Sequence, residues 1–285
     1  LRDKPNLYRR TRDRFDLTRE EQIESMRRYL AFVSFEDSLF GKLIDTLTET
    51  GELENTYVLY LTDHGDYLGA HGLWAKGLPC FQEAYNICTM LGGGDIATHS
   101  TSDALVSIAD FAPTILELAG VAKQDIPPMV GRSLVPFIEM AAQQVQMSAQ
   151  VQQTKTQAEI AHGALLPITR NAAAAPVSLP TPAGWRTELF TQTNGNEVYG
   201  MQRAVWSHEW KYILNLFDYD ELYDLKNDPD EMHNLIEDKA YAPVVKEMCK
   251  KIWQFAKATH DNATCPYIMV SLAPYGPGIL LEDEV

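Results

Sequence analysis

Thr56-Tyr57-Val58-Leu59-Tyr60-Leu61-Thr62-Asp63-His64-Gly65-Asp66 is the stretch that decides the fold. A β-favouring, nearly continuous apolar run over 56–61 ends in a turn that carries two carboxylates and an imidazole. Such a run predicts a strand covered on both faces, and Gly65 permits a tight turn after it. Upstream, Thr18 and Glu21 have the spacing of a capping box. Ile23, Met26, Leu30, Val33, Phe40, Leu43, Ile44 and Leu47 then recur at helical spacing until Gly51. A long amphipathic helix feeding a buried strand predicts an α/β layered domain, in which the loop at the strand's carboxyl edge is the natural ligand site. That loop is Thr62-Asp63-His64-Gly65-Asp66. Glu36 and Asp37, on the helix, read as a solvated face.

Outward from this core, Leu1–Arg14 reads as an extended arm, rich in Arg and Asp with Pro5 near its start. Ser102–Val121 predicts a second helix, stopped by Gly120 and divided or kinked at Pro113. From Ala141 to Pro182 the composition shifts to Gln, Ala, Thr, Ser and Pro, as in a flexible insertion. Glu188–Gln192, Met201–Trp206 and Trp210–Leu214 predict short strands of a small antiparallel sheet. Asn227–Asp230 reads as a turn, Val244–Ala258 as an amphipathic helix with Trp253 and Phe255 in the core, and Pro266–Val285 as a tail along the surface. The expected organisation is an α/β core over 1–140, an insertion or linker over 141–184, and an antiparallel subdomain with helix and tail over 185–285.

Composition narrows the function. The 285 residues are 45% hydrophobic, enough for a buried core. Lys+Arg 24 against Asp+Glu 39 gives a formal charge of -15, which argues against a nucleic-acid partner. A small anionic substrate remains compatible, because a metal ion and one lysine can reverse the potential inside a cleft. No apolar run reaches the ~18 residues of a membrane span, so a membrane partner is not expected. Cys80, Cys88, Cys249 and Cys265 have neither zinc-site spacing nor disulfide-scaffold density, which favours a reduced, cytoplasmic chain. The sequon Asn262-Ala263-Thr264 would accept a glycan only in a secretory setting. Beginning at Leu1 rather than Met, the sequence reads as a fragment, and a missing N-terminal half is expected as its partner.

Asp63 and His64 could share a divalent cation, since a carboxylate oxygen and a neutral imidazole nitrogen both ligate such metals. Taken alone the signal is weak, and the pair reads more readily as a loop aspartate capping a turn beside a surface histidine. Its context points to a family. The run Thr62 to Gly77, with Asp63-His64-Gly65-Asp66 and then Gly69-Ala70-His71-Gly72-Leu73-Trp74-Ala75-Lys76, resembles the sulfatase signature Asp-(His/Asn)-Gly-(Asp/Glu) followed by Gly-x-His-Gly-Leu-Trp-x-Lys. Val106-Ser107-Ile108-Ala109-Asp110-Phe111-Ala112-Pro113-Thr114, Gly131-Arg132-Ser133-Leu134 and Glu221-Leu222-Tyr223-Asp224-Leu225, with Asp228-Pro229-Asp230-Glu231, resemble later stretches of the same family in the same order.

The resemblance implies an alkaline-phosphatase-like fold, a mostly parallel sheet flanked by helices with a small antiparallel C-terminal subdomain. It also implies metal-dependent hydrolysis of sulfate esters, with a small sulfated or phosphorylated substrate. By motif position, Asp63 and His64 become metal ligands, Lys76 the sulfate contact and His71 a catalytic helper. The ion is Ca²⁺ or Mn²⁺, with Zn²⁺ admitted by the imidazole. The family's formylglycine comes from Cys/Ser-x-Pro-x-Arg, which is not found in these 285 residues. It is expected in a missing N-terminal segment, so the chain alone is expected to be inactive. Asp-His in place of Asp-Asn also fits relatives that cleave phosphonate or phosphate diesters. A non-catalytic remnant is the reading from another class.

Overall fold

A computed structural model describes residues 1–94, 96, 100–143, 176–195, 200–261 and 273–282. In chain order its main elements are α1 (Asn6–Asp13), α2 (Arg19–Thr50), β1 (Tyr57–Leu61), α3 (Gln82–Tyr85), β2 (Thr89–Gly93), β3 (Ser100–Thr101) and α4 (Phe111–Leu118). A helix α5 over 135–143 follows. After it come β4 (Val177–Ser178), β5 (Leu189–Asn194), β6 (Met201–Trp206), β7 (Trp210–Asn215), β8 (Glu221–Asp224) and α6 (Ala242–Thr259). The chain divides into two compact units that alternate along the sequence. Leu1–Asp37, Thr62–Cys88 and Thr187–Val285 form the first, and Ser38–Leu61 and Thr89–Arg186 the second.

The first unit is built on an antiparallel sheet in the order β5-β6-β7-β8. The predicted strands are present here, each within a residue or two of its expected limits. On one face, Val205, Tyr212, Leu214 and Leu222 meet Val245, Met248, Cys249, Ile252 and Trp253 of α6. Burying a side chain of this size contributes roughly 1.5–3 kcal/mol. Phe255 stacks on Phe190 with ring centroids 4.3 Å apart, so both aromatics of α6 serve packing as expected. The described part of the tail does more than follow the surface: Ile279 is buried in this core, and the Trp253 indole donates to the Tyr275 carbonyl at 2.8 Å.

The other face of the sheet corrects the reading of the first residues as an extended arm. Asn6–Asp13 is a helix, and Tyr8 is fully buried with Phe81, Ile213 and Tyr223. Its hydroxyl donates to the Glu221 carboxylate and accepts from Gln202 at 2.5 Å. A polar, arginine-rich segment is held in place by one aromatic anchor, which composition does not reveal. Nearby, the fully buried Lys211 ammonium donates to the Cys80 carbonyl and to Glu231, whose second oxygen accepts the Gln82 amide at 2.8 Å. This pair fastens the start of α3 to the sheet.

α2 spans the division between the units. Its capping box forms as predicted: the Thr18 amide donates to Glu21 at 2.8 Å, and the Glu21 amide to the Thr18 hydroxyl at 3.3 Å. The helix ends just before Gly51. Its apolar stripe is nevertheless covered only in part: no residue of α2 is buried, Met26, Phe40, Ile44 and Leu47 are half-buried, and Leu30 and Leu43 are 62% and 64% exposed. In the second unit, β1 pairs antiparallel with β2, from Tyr57↔Gly93 to Leu61↔Thr89. The expectation of a strand covered on both faces is corrected, since β1 residues are exposed or half-exposed. Among the described residues β1 has the single partner strand β2. The parallel pairing described in this chain is the short β3–β4 ladder.

The predicted helix over Ser102–Val121 starts later. Ser107 caps a 3₁₀ turn at Ile108–Asp110, and α4 follows. Pro113 neither divides nor kinks α4, because it sits in the first turn, where its missing N–H is not needed. Asp110, fully buried, organises the region: it accepts the Ser107 and Arg132 amides, each at 2.7 Å, and the forked Arg186 guanidinium. A Cβ on Gly131 would lie 1.9 Å from the Ala109 carbonyl oxygen, so only glycine admits this approach. The Ser-Ile-Ala-Asp and Gly-Arg-Ser stretches thus meet at buried Asp110, which takes the Arg132 amide from the second stretch and pairs with Arg186. Most of the predicted insertion (144–175), the sequon and Cys265 lie outside the described residues. Among the described residues, Cys80, Cys88 and Cys249 are free thiols, and no helix is long and apolar enough to cross a membrane.

Candidate functional site

Past Leu61 the chain enters the first unit as the Asp63-His64 turn. The Asp63 carboxylate accepts the His64 amide at 3.0 Å and stays 81% exposed. His64 Nδ1 lies 2.8 Å from the Gly65 carbonyl, a contact made with Nδ1–H donating. That hydrogen bond leaves Nε2 with its lone pair outward, as a metal-binding imidazole requires. Nε2 stands 3.4 Å from Asp63 Oδ2. Two ligand atoms each about 2.1 Å from one ion are roughly 3.0–3.5 Å apart, so the pair fits a shared cation. Hard ions take about six ligands. Among the described residues no group of three or more His, Cys, Asp or Glu is placed to hold a metal ion.

The turn is braced from behind by α3. The Gly65 amide donates to the Ala84 carbonyl at 2.9 Å, and a Cβ at position 65 would fall 1.9 Å from the Glu83 carbonyl oxygen. Any side chain there would push the Asp63-His64 turn off α3. The next residues double back on themselves: the amides of Tyr67 and Gly69 donate to the carbonyls of Ala75 and Leu73 at 2.9 and 2.8 Å. The buried Tyr67 hydroxyl lies between the carbonyls of Gly77, at 3.0 Å, and Pro79. Lys76 is half-exposed on this loop, between Ala75 and Gly77, both in the left-handed region.

His71 is placed differently from the other predicted site residues. Its side chain is 3% exposed, its ring stacks on Phe81 with centroids 4.0 Å apart, and Nε2 is 3.5 Å from Glu83. It is a packed residue of the loop's interior. Asp63 and His64 are brought together, but neither makes a hydrogen bond or ion pair with Lys76 or His71 among the described residues. Sequence reasoning missed Glu83. Burial pushes its carboxyl up, but the contact with His71 and the charge of Lys211 prevail and hold it below the ordinary value. No residue-type pattern around Gln82-Glu83 marks it. Its partner is twelve residues away, and only the fold joins them.

Residues 3–121 match the family model Sulfatase, and residues 168–258 match N-sulphoglucosamine sulphohydrolase, C-terminal. The choline-sulfatase of Rhizobium meliloti is 31% identical over 227 residues, covering 78% of this chain and 35% of that protein. The N-acetylglucosamine-6-O-sulfatase of Bacteroides thetaiotaomicron is 29% identical over 248 residues, covering 83% and 36%. A solved structure, BT4656 with its substrate D-glucosamine-2-N,6-O-disulfate, superposes with a TM-score of 0.66 at 27% identity, covering 85% of this chain and 42% of that one. The fold is alkaline-phosphatase-like, with an antiparallel C-terminal sheet. The chain spans little more than a third of the length of these curated relatives.

Proposed function

The chain belongs to the sulfatase family, and from that premise we propose that the protein hydrolyses a small sulfate ester at a metal site to which Asp63 and His64 contribute. The observation that carries this reading is the Asp63-His64 turn: the Nδ1 contact with the Gly65 carbonyl turns Nε2 outward, 3.4 Å from Asp63 Oδ2. A divalent cation bound there, Ca²⁺ or Mn²⁺ with Zn²⁺ also admitted by the imidazole, supplies Lewis-acid polarisation of the ester oxygens. The residues of this chain hold and orient. Asp63 and His64 present an oxygen and a nitrogen to one point, and Gly65 keeps that turn against α3. Lys76 contributes a cation that offsets charge building on the sulfuryl oxygens as the S–O bond breaks. The family's formylglycine motif, Cys/Ser-x-Pro-x-Arg, does not occur in these 285 residues, so this reading assigns the nucleophile to no residue of the chain. His71, stacked on Phe81 and nearly buried, supports the loop that carries Lys76.

The test is turnover of 4-nitrophenyl sulfate by the protein that carries this chain, before and after chelation and with each metal restored. Removing a charge-stabilising donor costs on the order of 10²- to 10³-fold in rate, so Lys76→Ala should lose that much kcat. Unchanged turnover would remove Lys76 from the sulfate site. A second reading, cleavage of phosphonate or phosphate diesters, is favoured by one observation, the imidazole at His64 among the expected hard-ion ligands. A phosphodiester assay run beside the sulfate assay separates the two by their ratio of kcat/KM.

A further inference from the structure

The backbone from Leu68 to Gly77 is the most strained in the described chain. Leu68, Gly69, His71, Gly72, Ala75 and Gly77 have φ between 46° and 103°, and three of them carry a side chain. A non-glycine residue in this region persists only where its surroundings over-determine it, and such segments gather at functional sites. Tyr67 ties the loop at its base, through its amide to Ala75 and its hydroxyl to Gly77 and Pro79. At the left-handed His71 the tie is different. The ring lies flat on Phe81, and Nε2 faces Glu83 Oε1 at 3.5 Å.

Glu83 meets both halves of the site. Its carbonyl oxygen is the atom that a Cβ on Gly65 would strike, and the neighbouring Ala84 carbonyl accepts the Gly65 amide. Its carboxylate reaches the other way, to His71. The second carboxylate oxygen, Oε2, is buried and takes no hydrogen bond among the described residues. A buried, unmatched carboxylate oxygen is costly and calls for a reason. Fastening the Lys76 loop supplies one. The charged group that acts on Glu83 from the sheet is Lys211 of β7, itself held by Glu231 and the Cys80 carbonyl.

We propose that Glu83 is a positioning residue of this site: through His71 its carboxylate holds the Leu68–Gly77 loop, and with it Lys76, while its own backbone braces the Asp63-His64 turn. The consequence for turnover rests on the proposed sulfate-ester hydrolysis; the mechanical claim does not.

Glu83→Gln keeps the shape and removes the charge. Expected in this variant is amide hydrogen exchange at Tyr67, Gly69 and Leu73 faster by about tenfold or more, with Val205 and Ile213 of the sheet unchanged. With 4-nitrophenyl sulfate, kcat and kcat/KM should fall together, about tenfold, because an interaction realised only in the transition state is weakened. Added to His71→Asn, the same substitution should do nothing further, since Glu83 acts through His71. Unchanged loop exchange in Glu83→Gln, or costs that add in the double variant, would overturn the proposal. Acceleration of Val205 and Ile213 as well would overturn it too, by showing general loosening. If the parent protein hydrolyses no sulfate ester, the proposed function fails, and the exchange measurements still decide the role of Glu83.

Discussion

The sheet β5–β8 and the helix α2 were both read from apolar periodicity, and the fold treats them in opposite ways. In the sheet every predicted strand is present, and its inner residues Tyr212, Ile213, Leu214 and Leu222 are fully buried. In α2 the predicted stripe is equally real, with its cap and its stop in place, yet Leu30, Val33 and Leu43 are exposed. Periodicity specifies which side of an element is apolar. It does not specify that something lies against that side. The largest stability effects should therefore come from the sheet and its buried polar ties, and the smallest from α2.

The sharpest way to break this comparison is Lys211→Ala. Lys211 and Glu231 are fully exclusive of solvent, and removing one partner leaves a buried charge unmatched. Breaking such a pair typically costs about 3–5 kcal/mol. Chemical denaturation should show a loss of this size, together with faster exchange at Gln82, whose amide depends on Glu231. A loss under 1 kcal/mol would mean that the first unit does not hang on its buried ion pair.

A second test uses pH. Burial pushes the Asp220 carboxyl up to about 7, against hydrogen bonds from the Tyr212 hydroxyl and the Asn215 amide that pull it down. Folded chain therefore keeps this proton over a range in which the unfolded chain, at about 3.9, has released it. The sign follows: the contribution is fully present below the unfolded value and is lost as pH rises through about 7. Its ceiling is about 4 kcal/mol at 1.36 kcal/mol per unit. Between pH 5 and pH 8 the parent protein should lose stability, and Asp220→Asn should flatten that slope. Burial pushes Glu221 up as well, so part of the slope should survive in the variant. Denaturation midpoints at several pH values decide it, and identical slopes would rule Asp220 out as their source.

How much could be read in advance follows from where each signal resides. The Asp63-His64 turn, the α2 cap, the strands β5–β7 and α6 were legible because each is written in adjacent residues or one period. The helix at Asn6–Asp13 was not, because its cause is a single ring, Tyr8, held by Phe81, Tyr223 and Glu221 from distant segments. The late start of α4 was hidden for a related reason: Ser107 caps the turn only because Asp110 is turned inward to Arg186. His71 was legible as part of a motif but not as a packed residue. Its burial is decided by Phe81 and Glu83, and neither shares a recognisable spacing with it.

The smallest expected effect tests α2 itself. Leu30 and Leu43 stand on the predicted stripe and are already about two-thirds exposed, so Leu30→Ser and Leu43→Ser remove almost no buried area. Surface substitutions of this kind stay within about 0.5 kcal/mol, and the melting transition should barely move. Association should change instead. A contiguous apolar face makes a protein adhere to copies of itself, and the edge of β1 that is unpaired among the described residues adds a template for further strands. The parent chain should sediment as a mixture of sizes, and the double variant should shift toward a single species at equal concentration. A monodisperse parent, or a loss above about 2 kcal/mol in the variant, the size expected of a buried leucine, would show that this face is covered. The contrast between α2 and the sheet would then be one of packing partner rather than of exposure.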